Sequence, residues 1–154
     1  MQRVRSSGIE IQPARDTDRA ALAQLFDQYR QFYGYPADRD KAERFIGARL
    51  AAGDSSLFVA RKGAEICGFV QCYPGFASLE CRPSWLLSDL YVVQEARGLG
   101  AGRALLRHVR EVAAAEECCL VELFTARSNR VAQRLYKSEG YQEDCEFLHY
   151  ELTL

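Results

Sequence analysis

The sequence has little excess charge and no long hydrophobic run, and these two gaps exclude several classes of protein. It contains 20 basic and 21 acidic residues in 154 positions, for a formal net charge of −1. That balance does not favour nonspecific nucleic-acid binding, which depends on many cationic contacts to phosphates. No apolar run approaches the length of a transmembrane helix. Residues Met1 to Ser6 lack the apolar core of a signal peptide. We therefore expect a cytoplasmic protein that binds neither nucleic acid nor membrane.

The signatures of metal sites and disulfide frameworks are also missing. The chain has two histidines and six cysteines, and no two of the cysteines form a C-x-x-C pair. Cys118 and Cys119 are adjacent, which suits neither a disulfide framework nor a zinc site. We predict free thiols and no bound metal. The length of 154 residues suits one domain over 1–154 with a real core, and residues 1–8 are expected to form a disordered lead.

Hydrophobic periodicity predicts the order of the secondary-structure elements. The predicted strands cover residues 9–12, 56–60, 66–73, 85–92, 120–125 and 147–152, with a further extended stretch from Tyr141. The first predicted helix covers residues 18–33, and the second begins at Asp38 or Asp40 and ends near Gly53. The third runs from the glycines at 98–102 to about residue 116, and the fourth covers 131–138. Residues 74–83 are predicted to be a loop. The order β-α-α-β-β-β-α-β-α-β-β indicates an α+β or α/β domain with a mixed sheet.

A glycine-rich turn between a strand and a helix is the strongest local signal for ligand binding. The segment Arg97-Gly98-Leu99-Gly100-Ala101-Gly102 follows the strand that ends near Val93. Glycines allow a ligand to approach the backbone, and the free N–H groups of the helix start bind phosphate. A P-loop would need Lys-Ser/Thr after the last glycine, where the chain has Arg103-Ala104. A dinucleotide fold would need its third glycine one position later and an early place in a long βαβ series.

A second motif, together with the first, points to a known family. Residues 129–141, NRVAQRLYKSEGY, resemble the N-x-x-A-x-x-L-Y-x-x-x-G-F/Y signature of the GNAT N-acetyltransferases, and Arg97-x-x-Gly100-x-Gly102 resembles their acyl-CoA pyrophosphate loop. The order of elements is also that of the family. The resemblance implies a central mixed, mostly antiparallel sheet flanked by about four helices. Further likeness at 32–35, 90–92 and 148–150 resembles the branch that includes fungal Hpa-type histone, polyamine and D-amino-acid acetyltransferases.

The resemblance implies acetyl-CoA as the cofactor and places its contacts along the chain. Backbone groups of Leu90, Tyr91 and Val92 would hold the pantetheine arm, and a backbone N–H near Leu90 would polarise the thioester carbonyl. The pyrophosphate would contact N–H groups from Arg97 through Gly98, Leu99, Gly100, Ala101 and Gly102 to Arg103. Asn129, Ala132 and Tyr136 of the second motif would complete the cofactor site. Asn129 is equally explained as a helix cap.

Direct acetylation of an amine needs a general acid and a general base. Tyr136 matches the family tyrosine that faces the sulfur of CoA, and a phenol with a pKa near 10 can protonate a leaving thiolate at neutral pH. Asp89 on the central strand and Glu122 on the following strand are candidate bases, and a carboxylate could act through a water chain. His149 is a further titratable candidate, although a structural role explains it as well. The sequence does not choose between these bases.

The acceptor pocket is expected at the end of the first helix. Tyr33 and Tyr35 are the candidate substrate-binding residues, because aromatic faces can hold a cationic amine. Phe32 is expected to pack in the core, and Tyr73, Phe76 and Trp85 are possible additions to the pocket. The acceptor, a small-molecule amine or a peptide or protein amine, is not identified by this pattern.

Two other functions remain open, as does the oligomeric state. A non-catalytic acyl-CoA-binding sensor or partner subunit would share the fold, and a nucleotide-binding regulatory domain would bind ATP or NAD in preference to CoA. A homodimer is expected from the resemblance, through an apolar C-terminal segment that contains Phe147, Leu148, Tyr150 and Leu152.

Overall fold

A computed structural model describes residues 8–154 of the chain. The predicted disordered lead therefore lies, apart from Gly8, outside the described residues. The chain divides into two compact units, one that extends to Phe124 and one from Thr125 to Leu154. No helix within residues 8–154 is both long enough and apolar enough to cross a bilayer.

The first unit contains a five-stranded mixed sheet, which confirms the predicted fold class. Its strands are β1 (Ile9–Pro13), β2 (Ser56–Lys62), β3 (Glu65–Ala77), β4 (Arg82–Val92) and β5 (Val121–Leu123). They lie in sequence order across the sheet, and the pairs from β1 to β4 are antiparallel. The pair of β4 and β5 is parallel, because helix α3 (Ala101–Ala115) returns the chain to the same end of the sheet.

Four α-helices appear where the sequence predicts them. In the first unit, α1 (Arg19–Phe32), α2 (Arg39–Ala52) and α3 surround the sheet, and the second unit contains α4 (Arg130–Ser138). The side chain of Asp38 caps α2 by accepting from the N–H of Lys41 at 3.0 Å. Gly53 ends α2 in the left-handed conformation, with φ of 61°.

The core of the first unit lies between the α1–α2 pair and the middle of the sheet. Leu22 and Phe26 of α1 and Ile46 of α2 pack with Val59 of β2 and Phe69 of β3. Helix α3 packs against β1 to β4 with its own buried stripe of Leu105, Leu106, Val109 and Ala113. The 3.6-residue spacing of these apolar side chains is what made the helices predictable from sequence.

The predicted loop at residues 74–83 is wrong, because most of it continues the sheet. Strand β3 extends to Ala77, a 3-10 turn covers Ser78–Glu80, and β4 begins at Arg82. Strand β2 pairs with β3 only as far as Cys72, and beyond that point no strand among residues 8–154 pairs with that edge of β3. A proline such as Pro74 is compatible with a strand there because its missing N–H can face that edge.

The two predicted elements at the C-terminus are also wrong, since no strand occurs between residues 139 and 154. The carboxylate of Asp144 accepts from the backbone N–H groups of Glu146 and Phe147 at 2.8 and 3.2 Å. This local turn uses backbone donors that a ladder would need. The alternating apolar pattern of residues 147–152 therefore does not produce a strand within this chain.

Candidate active site

The segment between β4 and α3 forms an open cradle of backbone N–H groups. A 3-10 turn at Gln94–Ala96 leads into the glycines, and Gly100 is the N-cap residue of α3, which begins at Ala101. Gly98 and Gly100 have φ of 77° and 89°, a region that favours glycine. Gly100, the N-cap residue, has no side chain to cap the first turn of α3, and the positive end of the helix dipole there favours an anion. Gly102 and Arg103 lie within that first turn.

Arg97, which precedes the glycines, contacts both β4 and the end of α1. Its Nε donates to the carbonyl oxygen of Val92 at 3.0 Å. Its guanidinium lies over the rings of Tyr91 and Phe32, at 5.7 and 5.8 Å from their centroids. Cation–π contacts of this kind fix the side chain on the aromatic surface. Phe32 is 54% exposed, so the expectation that it packs in the core is wrong.

The second half of β4 has an unpaired edge. Parallel pairing with β5 covers only Trp85, Leu86 and Leu87. From Ser88 to Val92, β4 pairs with β3 on one side, and no strand of the described chain pairs with the other side. The backbone of Leu90, Tyr91 and Val92 can therefore bind an extended ligand along this edge. At the Val92 end of β4, a Cβ on Gly68 of β3 would lie 2.9 Å from the carbonyl oxygen of Tyr91, so any other residue at this position would force the backbone to shift.

A β-bulge at Ser88 marks the start of this edge. Cys72 of β3 pairs with Leu87 and the preceding Gln71 pairs with Asp89, which leaves Ser88 as an extra residue in β4. The hydroxyl of Tyr29 on α1 donates to the carbonyl oxygen of Ser88 at 3.3 Å. The bulge interrupts the regular alternation of β4 and brings Asp89 opposite Gln71.

Asp89 is a buried carboxylate with polar partners but no cationic one. It is 8% exposed, and the amide of Gln71 donates to its Oδ2 at 3.0 Å. Burial raises the pKa of this carboxyl above its ordinary value, against hydrogen bonds with Gln71, Tyr29 and Ser88 that lower it. No cationic side chain within residues 8–154 pairs with Asp89. A buried carboxyl of raised pKa outside an ion pair is suited to proton transfer.

Burial near Asp89 also raises the pKa values of two neighbouring side chains on β3, Cys72 and Tyr73. Burial, and to a smaller extent the charge of Asp89, raises the pKa of Cys72 to about 12. Burial and then Asp89 also raise the pKa of Tyr73 to about 12. Both groups are therefore neutral at physiological pH, and Asp89 is the acidic group of this cluster that can accept a proton.

The other candidate bases have different surroundings. Glu122 of β5 is exposed and lies opposite Leu86 in the ladder. His149 is exposed, with its Nε2 3.7 Å from the Oε2 of Glu151. Within residues 8–154, no cluster of three or more histidine, cysteine, aspartate or glutamate side chains is arranged to hold a metal ion.

Exposed aromatic side chains extend from Tyr29 along the end of α1. The ring of Tyr29 makes an edge contact with Tyr33 at 5.2 Å, and Tyr33 makes a similar contact with Phe32. Tyr33 and Tyr35 are 42% and 59% exposed, and the guanidinium of Arg30 lies over the ring of Tyr35. We call Phe32, Tyr33 and Tyr35 the aromatic ridge. Of the possible additions, Trp85 is buried, whereas Phe76 is largely exposed.

Tyr29 and Gln71 were not recognised as site residues from the sequence. Tyr29 occupies a position in the apolar stripe of α1, so its spacing suggested only packing. Gln71 was a single polar residue in an otherwise apolar strand, Ile66 to Tyr73. A fully buried polar position of that kind is a usable signal, because it needs a hydrogen-bond partner inside the protein.

The second unit contains the remaining predicted site residues. Asn129 caps α4, since its Oδ1 accepts from the N–H of Ala132 at 3.2 Å. Tyr136 is half-buried on α4, and its ring lies 5.8 Å from that of Tyr141. The backbone N–H of Tyr141 donates to the carbonyl oxygen of Tyr136 at 3.0 Å, which closes the end of the helix.

Several known proteins that resemble this chain in sequence or in structure are described as acetyltransferases. Residues 22–141 match the family described as the acetyltransferase (GNAT) family. An uncharacterized N-acetyltransferase of Bacillus subtilis, YhfO, is 40% identical over 95% of this chain and 98% of its own length. A probable acetyltransferase of Haemophilus influenzae is 28% identical over 86% of this chain and 90% of its own. The crystal structure of a probable acetyltransferase superposes with a TM-score of 0.88 at 35% identity, covering 94% of this chain and 97% of that one.

Proposed function

The chain belongs to the GNAT family of acetyltransferases, and we propose that it transfers the acetyl group of acetyl-CoA directly to a primary amine in a ternary complex. The observation that supports this most strongly is the position of Asp89. A buried carboxyl of raised pKa stands at the bulge where the unpaired edge of β4 begins, and that edge leads into the glycine cradle. We further propose that one domain includes both compact units and that the protein is cytoplasmic, which six free cysteines support.

The residues present fit acetyl-CoA. The uncapped first turn of α3 and the left-handed Gly98 and Gly100 leave room and donors for a pyrophosphate. The amide groups of a pantetheine arm match the edge of β4 from Leu90 to Val92 that no described strand pairs, where the carbonyl oxygen of Val92 already accepts from Arg97. In this proposal Asn129, Ala132 and Tyr136 contribute the remaining contacts. When bound, the group supplies an activated thioester, whose carbonyl a backbone N–H near Leu90 would polarise.

In this proposal Asp89 accepts a proton from the amine and Tyr136 donates one to the leaving thiolate. We assign Asp89 as the base, and a raised pKa makes its carboxylate a better acceptor for a proton from the incoming ammonium. The neutral amine attacks the thioester carbonyl, so that a C–N bond forms and the C–S bond breaks. Tyr136 gives its phenolic proton to the leaving sulfur, and the second proton that the nitrogen loses as the amide forms returns to the tyrosinate through solvent. Glu122 is the second candidate for the base.

The acceptor is proposed to bind against the aromatic ridge. Tyr33 contacts the ring of Tyr29, which connects it to the bulge beside Asp89, and Tyr35 is exposed with the guanidinium of Arg30 over one face of its ring. Such faces attract a cationic amine before it is deprotonated. We propose that the acceptor is a primary amine on a small molecule or a peptide. Membership of the Hpa-type branch of the family stays a prediction.

We also propose that the protein is a homodimer. Phe147, Leu148, Tyr150 and Leu152 are each more than 70% exposed in the single chain. Burying a large apolar side chain contributes roughly 1.5–3 kcal/mol, so four of them favour association. Strand β5 is an edge of the sheet in the described chain and could pair with an extended segment from a second copy.

A screen for acetylated products tests the main proposal. The protein is incubated with acetyl-CoA and a panel that contains a polyamine, amino acids, an aminoglycoside and a lysine-containing peptide, and products are identified by mass spectrometry. We expect acetylation of a primary amine and its loss in Asp89→Asn. Binding of acetyl-CoA without any acetylated amine would instead support the non-catalytic sensor. Stronger stabilisation by ATP or NAD than by CoA would support the nucleotide-binding alternative.

A further inference from the structure

Gln71 is a fully buried amide in the middle of the sheet. It lies on β3 between Val70 and Cys72, which are themselves completely buried, and its own exposure is 0%. Burying an amide without hydrogen bonds is costly, so its retention at this position requires partners. Its two side-chain partners are Ser55, just before β2, and Asp89 on β4.

The two hydrogen bonds fix which end of the amide faces Asp89. The hydroxyl of Ser55 donates to Oε1 of Gln71 at 2.9 Å, and Nε2 of Gln71 donates to Oδ2 of Asp89 at 3.0 Å. A carboxylate only accepts hydrogen bonds, whereas an amide has one accepting and one donating end. Because Ser55 donates to the oxygen end, the donating end is held toward Asp89.

We propose that Gln71, oriented by Ser55, is a positioning residue that holds Asp89 in the geometry and charge state of a proton acceptor. This inference rests on the proposed role of Asp89 as the base. Gln71 touches neither reactant in the proposal and acts through Asp89. Ser55 is one step further away and acts through the orientation of Gln71.

Among the hydrogen bonds that lower the pKa of Asp89, the one from Gln71 has the largest effect, ahead of those from Tyr29 and Ser88. Tyr29 approaches from α1 and is a neutral donor, while Cys72 and Tyr73 of β3 are kept neutral by burial. Arg49 and Asp54 influence Tyr73, but their atoms Nε and Oδ1 lie 3.3 Å apart as an ion pair. Losing the donor from Gln71 would therefore remove stabilisation from the carboxylate that no nearby cation replaces.

The titration of Asp89 in the free protein tests the inference without any substrate. Protein labelled with ¹³C-aspartate is titrated by NMR, and the carboxyl resonance of Asp89 is assigned by its absence in Asp89→Asn. Gln71→Met preserves the length of the side chain but removes both hydrogen bonds. We expect the pKa of Asp89 to rise by roughly one unit in this variant, since a hydrogen bond to the charged form favours it. An unchanged titration in folded Gln71→Met would overturn the inference.

Ser55 provides a second variant whose folding is less at risk, because the residue is only half-buried. Ser55→Ala frees the amide of Gln71 to turn over, so the pKa of Asp89 should rise by a smaller amount than in Gln71→Met. Ser55→Thr retains the hydroxyl and should titrate like the wild type. If Gln71→Met does not fold, the comparison of the two Ser55 variants tests the inference instead. The same pKa of Asp89 in Ser55→Ala and Ser55→Thr would refute it.

Kinetics separate a failure of this inference from a failure of the proposed function. With the amine found in the panel screen, the acid limb of kcat/KM against pH should move upward by the same amount as the NMR titration. A purely structural role for Gln71 would lower kcat/KM equally at every pH. Full activity of Asp89→Asn would instead show that Asp89 is not the base, and acetyl transfer itself would stand.

Discussion

The hydroxyl of Tyr29 on α1 donates a hydrogen bond to the carbonyl oxygen of Ser88, 3.3 Å away, at the bulge of β4. The same hydroxyl contributes to holding the pKa of Asp89 down against the effect of burial. One side chain thus connects the helix that presents the aromatic ridge to the strand that presents the proposed base.

Tyr29→Phe should destabilise the fold and raise the pKa of the proposed base. The ring contacts with Phe26, Phe69 and Tyr91 would remain, so we expect a loss of about 1 kcal/mol in the free energy of unfolding, which is typical of one hydrogen bond. The pKa of Asp89 should rise because a donor to its charged form is lost. Urea denaturation and the acid limb of the pH–rate profile measure the two effects. A variant with wild-type values in both would show that the hydroxyl is dispensable.

The stability of the protein should depend on pH through Asp89. Burial raises the pKa of this carboxyl in the folded state above that in the unfolded chain, about 3.9. The folded state therefore holds the proton more tightly, and the stabilising contribution present below about pH 4 is lost as the pH rises through the folded-state pKa. Relative to Asp89→Asn, the wild type should become less stable over that window. Parallel stability curves for the two proteins would contradict the assignment of a raised pKa.

The glycine cradle can be tested with a charge at Gly102. This residue lies in the first turn of α3 and does not have a positive φ, so a side chain there is compatible with the backbone. Glutamate near a helix start is favourable for the helix but repels a pyrophosphate. In Gly102→Glu, the thermal stabilisation by acetyl-CoA should disappear while the protein stays folded.

Gly102→Ala is the matched control, and it should retain the shift in melting temperature. Melts with ATP and NAD complete the comparison, because equal shifts for all three ligands would count against a CoA site. Gly100 is a poorer test position, since its φ of 89° would add backbone strain to any substitution.

Tyr136→Phe tests the proposed general acid. The substitution keeps the ring and its contact with Tyr141 but removes the proton. We expect kcat to fall by roughly 10- to 1000-fold, the range of general acid–base catalysis, with little change in the affinity for acetyl-CoA. Turnover is measured at saturating amine, where chemistry limits the rate. A Phe variant with wild-type turnover would remove Tyr136 from the mechanism and leave the cofactor assignment intact.

The C-terminal segment should determine the oligomeric state. Light scattering at micromolar concentration should give the mass of a dimer, and Leu148→Glu should shift it to that of a monomer, because a charge replaces an apolar contact. Leu79→Glu is the control, since Leu79 is even more exposed than Leu148 but lies in the turn between β3 and β4. A wild-type protein that remains monomeric with acetyl-CoA present would refute the dimer.

The sequence predicted most of the fold because local patterns control most of it. The helices α1 to α4 follow from the spacing of residues such as Leu22 and Leu105 and from caps at Asp38 and Asn129. The end of the chain was mispredicted for a physical reason. Alternation at Phe147 to Leu152 is compatible with a strand, but a strand also needs a partner, and alternation does not say where that partner is.

The candidate site was less predictable than the fold. The sequence identifies the glycines and Asp89 as candidates from their residue types and positions, but it does not predict that Asp89 is buried. Its burial depends on a one-residue bulge at Ser88, and the extra residue can be recognised only once β3 and β4 are paired. The contacts of Tyr29 and Gln71 with this region join residues that are 59 and 18 positions apart, which no local pattern encodes.

The early end of the pairing between β4 and β5 has a consequence for the sheet itself. Beyond Leu87, β4 offers a row of peptide groups on the edge that no described strand occupies. A pantetheine arm bound there would take the place of a neighbouring strand and satisfy those groups. The reactant would then be a temporary part of the protein's architecture. The local rigidity of this half of the sheet would rise when the acyl donor enters and fall when free CoA leaves.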